Sequence, residues 1–321
     1  MLYHAKHPLR VYVVVPDESD VANISRSLTQ VLTKLNGIGR GAACSFEVLN
    51  GADYMDRIRS FPKNNSRRDL TSAAYLKFYI QKLIDEDAIL YVDVDVVVLG
   101  DLGEVANKYL DSLEYIAAVG NSDTGQQHWR TLASIHDLNP VSYFNTGVML
   151  MNLRELRESR ADELLETVVK DHAELMIHKD QDAFNVIFNR KHWPLDQKYN
   201  VHDFSLGLNY SGVFERFILG GLNILSNGML HEALKEQVGP DTVVCHYSAQ
   251  PKPWEPNGYY CRAHSDIWFR YAKIVLDPAE YATFHSLRNI GSAFWFRAKQ
   301  IGQLHIAAAR RLIGGVIRRS T

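Results

Sequence analysis

The amino-acid sequence predicts an α/β fold, with helices packed on a sheet and a basic helical tail at the C-terminus. Three observations carry this reading. Short apolar strand runs alternate with helical stripes over residues 10–100. The strongest strand pattern, Ile89 to Leu99, ends at Gly100-Asp101. Beyond Pro251-Lys252-Pro253-Trp254-Glu255-Pro256 the composition shifts to aromatic residues and arginine.

The elements follow in order. Arg10-Val11-Tyr12-Val13-Val14-Val15 is a β-branched run stopped by Pro16-Asp17, which reads as a buried strand. Residues 19–36 place Val21, Ile24, Leu28, Val31, Leu32 and Leu35 on one helical face. Phe46–Leu49 reads as a second strand, and residues 72–84 as a second helix with the stripe Ala73, Leu76, Ile80, Leu83, Ile84. Ile89–Leu99 is the strongest strand. Ile116–Val119, Val148–Met151 and Val243–His246 read as further strands, with helices near 160–176 and 180–189. Residues 1–255 are expected to form a catalytic domain and residues 256–321 an extension.

Composition excludes several classes. The chain has 321 residues, 46% of them hydrophobic, which rules out intrinsic disorder. Lys plus Arg (35) nearly balances Asp plus Glu (37), so the net charge of -2 argues against a coat for nucleic acid. Three cysteines, Cys44, Cys245 and Cys261, are too few for a disulfide framework and form no CxxC pair. The N-terminal apolar run is too short for a signal peptide, and no run of 18 apolar residues occurs. The expected location is therefore the cytosol.

Chemistry concentrates in Tyr91-Val92-Asp93-Val94-Asp95-Val96-Val97-Val98. In a continuous strand Asp93 and Asp95 share a face at its C-terminal end, where ligand crevices of α/β sheets lie. Two such carboxylates repel unless a cation lies between them, and their hard oxygens suit Mg2+ or Mn2+. The alternative is a pair of acids leaving the strand into solvent; the apolar flanks favour the metal.

Tyr75-Leu76-Lys77-Phe78 followed by Leu90-Tyr91-Val92-Asp93-Val94-Asp95 resembles glycosyltransferase family 8, the group that includes glycogenin and bacterial lipopolysaccharide galactosyl- and glucosyltransferases. Three further segments follow in that family's order: Tyr143–Leu153, containing Phe144-Asn145-Thr146-Gly147; Lys179-Asp180-Gln181-Asp182; and His246–Trp254. The resemblance implies a GT-A fold, a Rossmann-like nucleotide-sugar-binding mixed sheet. It also implies retaining transfer of a hexose from a UDP-sugar donor with Mn2+, or alternatively Mg2+.

Carried over by position, Asp93, Asp95 and His246 would be metal ligands. Asp17, Ser19, Lys77, Val94, Asn145, Ala249 and Lys252 would hold the donor. Lys77 stands where many relatives have arginine, and Lys has the charge without the bidentate fork. Ala249 replaces the usual glycine. Asp180 and Gln181 would act at the donor sugar, Gln181 by position and electrostatics, since a neutral amide is a poor nucleophile. Asp180 also suits a helix N-cap, with Asp182 as a first-turn acid.

From Tyr281 onward every formal charge is positive: Arg288, Arg297, Lys299, Arg310, Arg311, Arg318 and Arg319, interleaved with Phe, Trp, Leu and Ile. This pattern suits a helix lying on anionic lipid; the alternative is a helix docked on the protein's own core. Together these features point to a peripheral enzyme on the inner face of a membrane. Its acceptor is expected to be a saccharide that is lipid-linked or part of lipopolysaccharide, and nucleic acid is not expected as a partner. Protein self-glycosylation and an inactive sugar-nucleotide-binding module are the competing readings.

Overall fold

The computed structural model describes residues 2–39, 44–62, 72–109, 113–121, 127–202, 240–248, 252–255 and 265–286. The chain divides into two compact units, Met1–Ser248 and Ala249–Thr321.

The first unit opens with a βαβ turn. β1 (Leu9–Val15) and β2 (Cys44–Asn50) pair in parallel, joined through α1 (Glu18–Gly37). Asp17 is the N-cap of α1, accepting from the Ser19 backbone N–H at 2.9 Å, with Glu18 and Asp20 in the positive first turn. The six apolar residues expected on one face of α1 are all partly or fully buried, with Ser25 beside them. α2 (Ala52–Arg59) then buries Met55 and Ile58.

Residues 72–84 depart from the expected helical stripe. Ser72–Tyr79 is a 3-10 helix, followed by a single α turn, α3 (Ile80–Leu83). Tyr75 to Gln81 are all buried, because the segment packs against α2 and against two later helices, α7 (Ala161–Asp171) and α8 (Asp180–Phe188). A segment covered on every side needs no 3.6-residue period, so tertiary packing rather than amphipathicity sets its winding.

The expected strand Ile89–Leu99 is two strands. β3 (Ala88–Val92) ends before the acidic pair and β4 (Val96–Val98) begins after it. After α4 (Gly103–Tyr109), β5 (Ile116–Gly120) and α5 (Gln127–Ile135), the central strand is β6 (Phe144–Asn152), buried along its whole length. The strand expected at Val148–Met151 thus begins four residues earlier. α6 (Leu153–Glu158), capped by Asn152, continues directly from it and leads into α7. β7 (His192–Leu195), β8 (Val201–His202) and β9 (Val244–His246) follow α8.

The strands form a four-stranded mixed sheet, β3-β6-β5-β7, and a three-stranded one, β4-β9-β8. The main core lies between β5, β6 and helices α5 to α8, built on Trp129, Phe144, Met149, Phe184 and Phe188. A second apolar cluster joins Val98, Val119, Val148 and Val244.

In the second unit, α9 (Ser265–Val275) and α10 (Pro278–Ser286) carry an aromatic cluster in which the Trp268 ring packs on Trp254, Phe269 and Phe284. α10 starts with a capping box. Asp277 accepts from the Ala279 and Glu280 N–H groups, Glu280 accepts from the Asp277 N–H, and Pro278 takes the first helical position. Residues 287–321, most of the basic tail, lie outside the described residues, as does Cys261. Among the described residues no helix is long and apolar enough to cross a membrane.

Candidate active site

The acidic pair sits in a turn that passes from one sheet to the other. β3 leaves the four-stranded sheet at Val92, opposite Val148 of β6, and β4 enters the three-stranded sheet at Val96, opposite His246 of β9. The Asp93 N–H donates to the Gly147 carbonyl at 2.8 Å, and the Asp95 carbonyl accepts from the Tyr247 N–H at 2.9 Å. The same-face argument for one continuous strand is therefore corrected: the two carboxylates converge because a turn aims them. Val94, at the tip of that turn, is fully exposed.

The turn and the β4–β9 register bring Asp93, Asp95 and His246 together, with one ligand atom from each within 4.8 Å of the others. His246 Nε2 lies 3.2 Å from Asp95 Oδ1 and 3.9 Å from Asp93 Oδ2. Asp93 divides its oxygens. Oδ1 accepts from the Tyr91 hydroxyl at 2.5 Å and meets Lys77 Nζ at 3.1 Å, so Oδ2 is the one turned to His246. Two hard carboxylates and one imidazole nitrogen fit Mn2+ well, whereas Mg2+ prefers oxygen throughout.

Gly147 makes room for this group. A Cβ on it would lie 2.1 Å from His246 Cε1 and 2.7 Å from Nδ1, so any side chain would evict the imidazole. Strand alternation turns Asn145 and Gly147 to one face of β6 and Thr146 to the other.

On Thr146's side stands a charged triad of the buried Lys77 and Asp180 with the partly buried Asp93. Lys77 Nζ meets Asp180 Oδ2 at 2.7 Å and Asp93 Oδ1 at 3.1 Å, and the Thr146 hydroxyl donates to Asp180 Oδ2 at 3.0 Å. Burial works against the Lys77 charge, but Asp180 and Asp93 outweigh it and hold the ammonium well above the usual lysine range. Burial pushes the Asp180 carboxyl up against the pull of Lys77. Lys77 thus ties the Asp93 carboxylate to that of Asp180, as a point charge rather than a fork.

Asp180 is the first residue of α8, not its cap. The cap position is Lys179, at φ 50°, a backbone conformation that side chains rarely adopt. Asp182 is the first-turn acid, accepting from the His178 N–H and the Tyr143 hydroxyl at 2.6 Å each. Gln181 is held at both ends. Its Oε1 accepts from Asn145 Nδ2 at 3.0 Å and from the Thr146 N–H at 3.3 Å, and its Nε2 donates to the Tyr143 hydroxyl at 3.1 Å.

Asp17 and Ser19 cap α1 with each other, the Ser19 N–H and hydroxyl holding the Asp17 carboxyl below its ordinary range. Lys252 belongs to the second unit, where its backbone N–H donates to Glu255 at 2.8 Å. Ala249 lies outside the described residues.

Sequence reading missed Tyr91 as a partner of Asp93, Thr146, Tyr143 and, above all, Asn200. The buried Asn200 side chain accepts from or faces His246 Nδ1 at 2.9 Å and donates to Asn145 Oδ1 at 2.7 Å. His202 is buried beside His246, and its imidazole is pushed down to about 3 by burial and that neighbour. The only available signal was the pair Asn200-Val201-His202, polar residues flanking a valine.

Comparison with known proteins identifies relatives of the chain. The family model described as glycosyl transferase family 8 matches residues 28–258. General stress protein A of Bacillus subtilis (strain 168) is 27% identical over 209 residues, 63% of this chain and 65% of that one. A lipopolysaccharide 1,2-glucosyltransferase of Escherichia coli is 30% identical over 184 residues, 55% of this chain and 47% of that one. The chain thus spans about half to two thirds of the length of these relatives. Among solved structures, the galactosyltransferase LgtC in complex with donor and acceptor sugar analogs superposes with a TM-score of 0.57, covering 86% of this chain and 100% of that one at 18% identity. The expected GT-A fold is borne out by that likeness.

Proposed function

The chain belongs to glycosyl transferase family 8, and from that membership we propose that it is a retaining, metal-dependent hexosyltransferase. The donor is a UDP-sugar, UDP-galactose or UDP-glucose, and the acceptor a saccharide of lipopolysaccharide or another lipid-linked glycan. The observation that carries this reading is the convergence of Asp93, Asp95 and His246 beside the Lys77–Asp180 pair. The Escherichia coli relative, by its name a lipopolysaccharide glucosyltransferase, supports the acceptor class.

Asp93, Asp95 and His246 would hold Mn2+, which supplies charge neutralisation for the diphosphate of the leaving UDP. The chain's own residues do the rest. Asp180, paired with Lys77, accepts hydrogen bonds from sugar hydroxyls. Asn145 and Thr146 hold the Gln181 amide at a fixed orientation next to the reacting sugar, where it acts by position and dipole. By their positions in the family's motifs, Asp17, Ser19, Val94, Ala249 and Lys252 would also hold the donor. The acceptor attacks the face the UDP leaves, and the departing phosphate oxygen takes its proton. The test is UDP release from a panel of UDP-sugars with Mn2+, with and without deacylated lipopolysaccharide. Release that rises with the saccharide is expected; turnover indifferent to every saccharide, with a mass gain on the protein itself, would replace this acceptor by self-glycosylation.

Two consequences can be measured. Gln181→Ala is expected to lower kcat by about 10- to 100-fold while leaving UDP affinity within about twofold, because its contacts lie on the sugar side. Titration calorimetry showing a large loss of UDP affinity at normal kcat would assign Gln181 to the nucleotide instead.

Residues 256–321 form an extension that places the enzyme on the inner face of the membrane. Deleting residues 282–321 is expected to release the chain from anionic vesicles and leave UDP-sugar hydrolysis intact. The seven positive charges are each worth about 1 kcal/mol at most near an anionic surface. Equal co-sedimentation of the full and shortened chains would show that the tail packs on the protein instead.

A further inference from the structure

We propose that Asn200 is a positioning residue that places the proton of the His246 imidazole on Nδ1, and that two backbone N–H groups of β6 dictate its orientation. The consequence for metal uptake rests on the metal reading given above; the tautomer itself does not.

The argument follows from which atoms are able only to donate. The Gly147 N–H donates at 2.8 Å to the Asn145 side chain, so Asn145 presents its oxygen there. Its Nδ2 is then on the other branch, and donates to Gln181 Oε1 at 3.0 Å. That atom must be the Gln181 oxygen, since it also takes the Thr146 N–H at 3.3 Å. Gln181 Nε2 consequently faces the Tyr143 hydroxyl, which in turn donates to the Asp182 carboxylate. Every amide along this line has one orientation consistent with its neighbours.

The other branch runs to the metal side. Asn145 Oδ1 lies 2.7 Å from the Asn200 amide, and an oxygen already facing a backbone donor accepts only from Nδ2. Asn200 Oδ1 is therefore the atom 2.9 Å from His246 Nδ1. A carbonyl oxygen accepts and never donates, so Nδ1 carries a proton. Nε2 is the nitrogen turned to Asp95 Oδ1 at 3.2 Å and Asp93 Oδ2 at 3.9 Å, where the ring of this tautomer offers its lone pair to a cation. The same line of amides joins the candidate metal ligand His246 to the candidate sugar-side residue Gln181. The Asn200 side chain is fully buried, so water does not compete for these bonds.

The test separates the acceptor at this position from its packing. Asn200→Asp keeps an oxygen facing Nδ1, whereas Asn200→Leu fills similar volume without one; both lose the donor to Asn145. Mn2+ titrations of the whole chain with UDP present are expected to give about 10- to 100-fold weaker binding for Asn200→Leu than for the wild type, with Asn200→Asp substantially closer to wild type. Equal losses in the two variants would make Asn200 a packing residue and overturn the proposal. A second measurement needs no stable variant. Long-range proton–nitrogen NMR of histidine-labelled wild-type protein without metal, with the signals identified by their loss in His246→Gln, is expected to show Nδ1 protonated. A neutral ring with its proton on Nε2 would overturn the proposal whatever the variants do. A wild-type chain with protonated Nδ1 that takes up no Mn2+ would sustain the relay and count against the metal reading alone.

Discussion

Gly147→Ala is expected to abolish most activity and Mn2+ binding while leaving the fold assembled. The added Cβ would stand 2.1 Å from His246 Cε1, 2.7 Å from Nδ1 and 2.9 Å from Nε2, well inside van der Waals contact. Neither partner gives way easily. Gly147 lies in β6, which is buried along its whole length and pairs with β3 from Val148 to Asn152 and with β5 at Phe144 and from Met149 to Met151. His246 is buried and held by its register with Val96 and by Asn200. The imidazole must therefore shift by about an ångström or swing away, and a misplacement of that size costs about a hundredfold in rate. Overpacking should lower stability by about 1–3 kcal/mol, which a melting curve would register as a modest fall in Tm. Wild-type Mn2+ affinity in a folded Gly147→Ala chain would mean that His246 is not a ligand.

Much of the site was legible because its parts are local in sequence. Asp93-Val94-Asp95 and Asp180-Gln181-Asp182 each bring two polar groups together within one turn or one helix start, and residue type alone suggests their chemistry. Strands β1, β2 and β5 and helix α1 were legible for a related reason: each buries one face or both, so its period is written in its own residues. The stretch 72–84 misled because burial on all sides erases the difference between an α and a 3-10 stripe. The break at residues 93–95 was hidden by valines on both flanks, which make two strands of different sheets look like one. His246 was recognisable by resemblance, but its approach to Asp95 depends on the pairing of two three-residue strands, β4 and β9, too short to show any period. Asn200 left no trace for a different reason. A buried amide earns its place by the atoms it joins, 55 and 46 residues away in the chain, and no local pattern records them.

On the metal-dependent function proposed above, Asp95→Asn is expected to lower turnover by about two to three orders of magnitude and to remove the stabilisation that Mn2+ would confer. The substitution is nearly isosteric, so the turn should persist: the Asp95 carbonyl keeps the Tyr247 N–H, and the Asp93 N–H keeps the Gly147 carbonyl. What changes is charge and the direction of one hydrogen bond. The amide removes one of the two carboxylates that draw a cation, and its N–H can donate to His246 Nε2, 3.2 Å from the present Oδ1, occupying the lone pair that the metal needs. Charge neutralisation by the metal is worth about 3–4 kcal/mol of transition-state stabilisation, and about 1.4 kcal/mol corresponds to tenfold in rate. Thermal melts distinguish this from simple damage. Without metal, Asp95→Asn should melt at or slightly above the wild type, because two like charges facing one pocket have become one. With Mn2+ at a hundred times the wild-type Kd, the wild type should gain about 2.7 kcal/mol and the variant almost nothing. Full wild-type turnover in excess EDTA, or an Asp95→Asn chain that still gains stability from Mn2+, would place the metal elsewhere. Loss of stability in the metal-free variant would instead make Asp95 a structural residue of the turn.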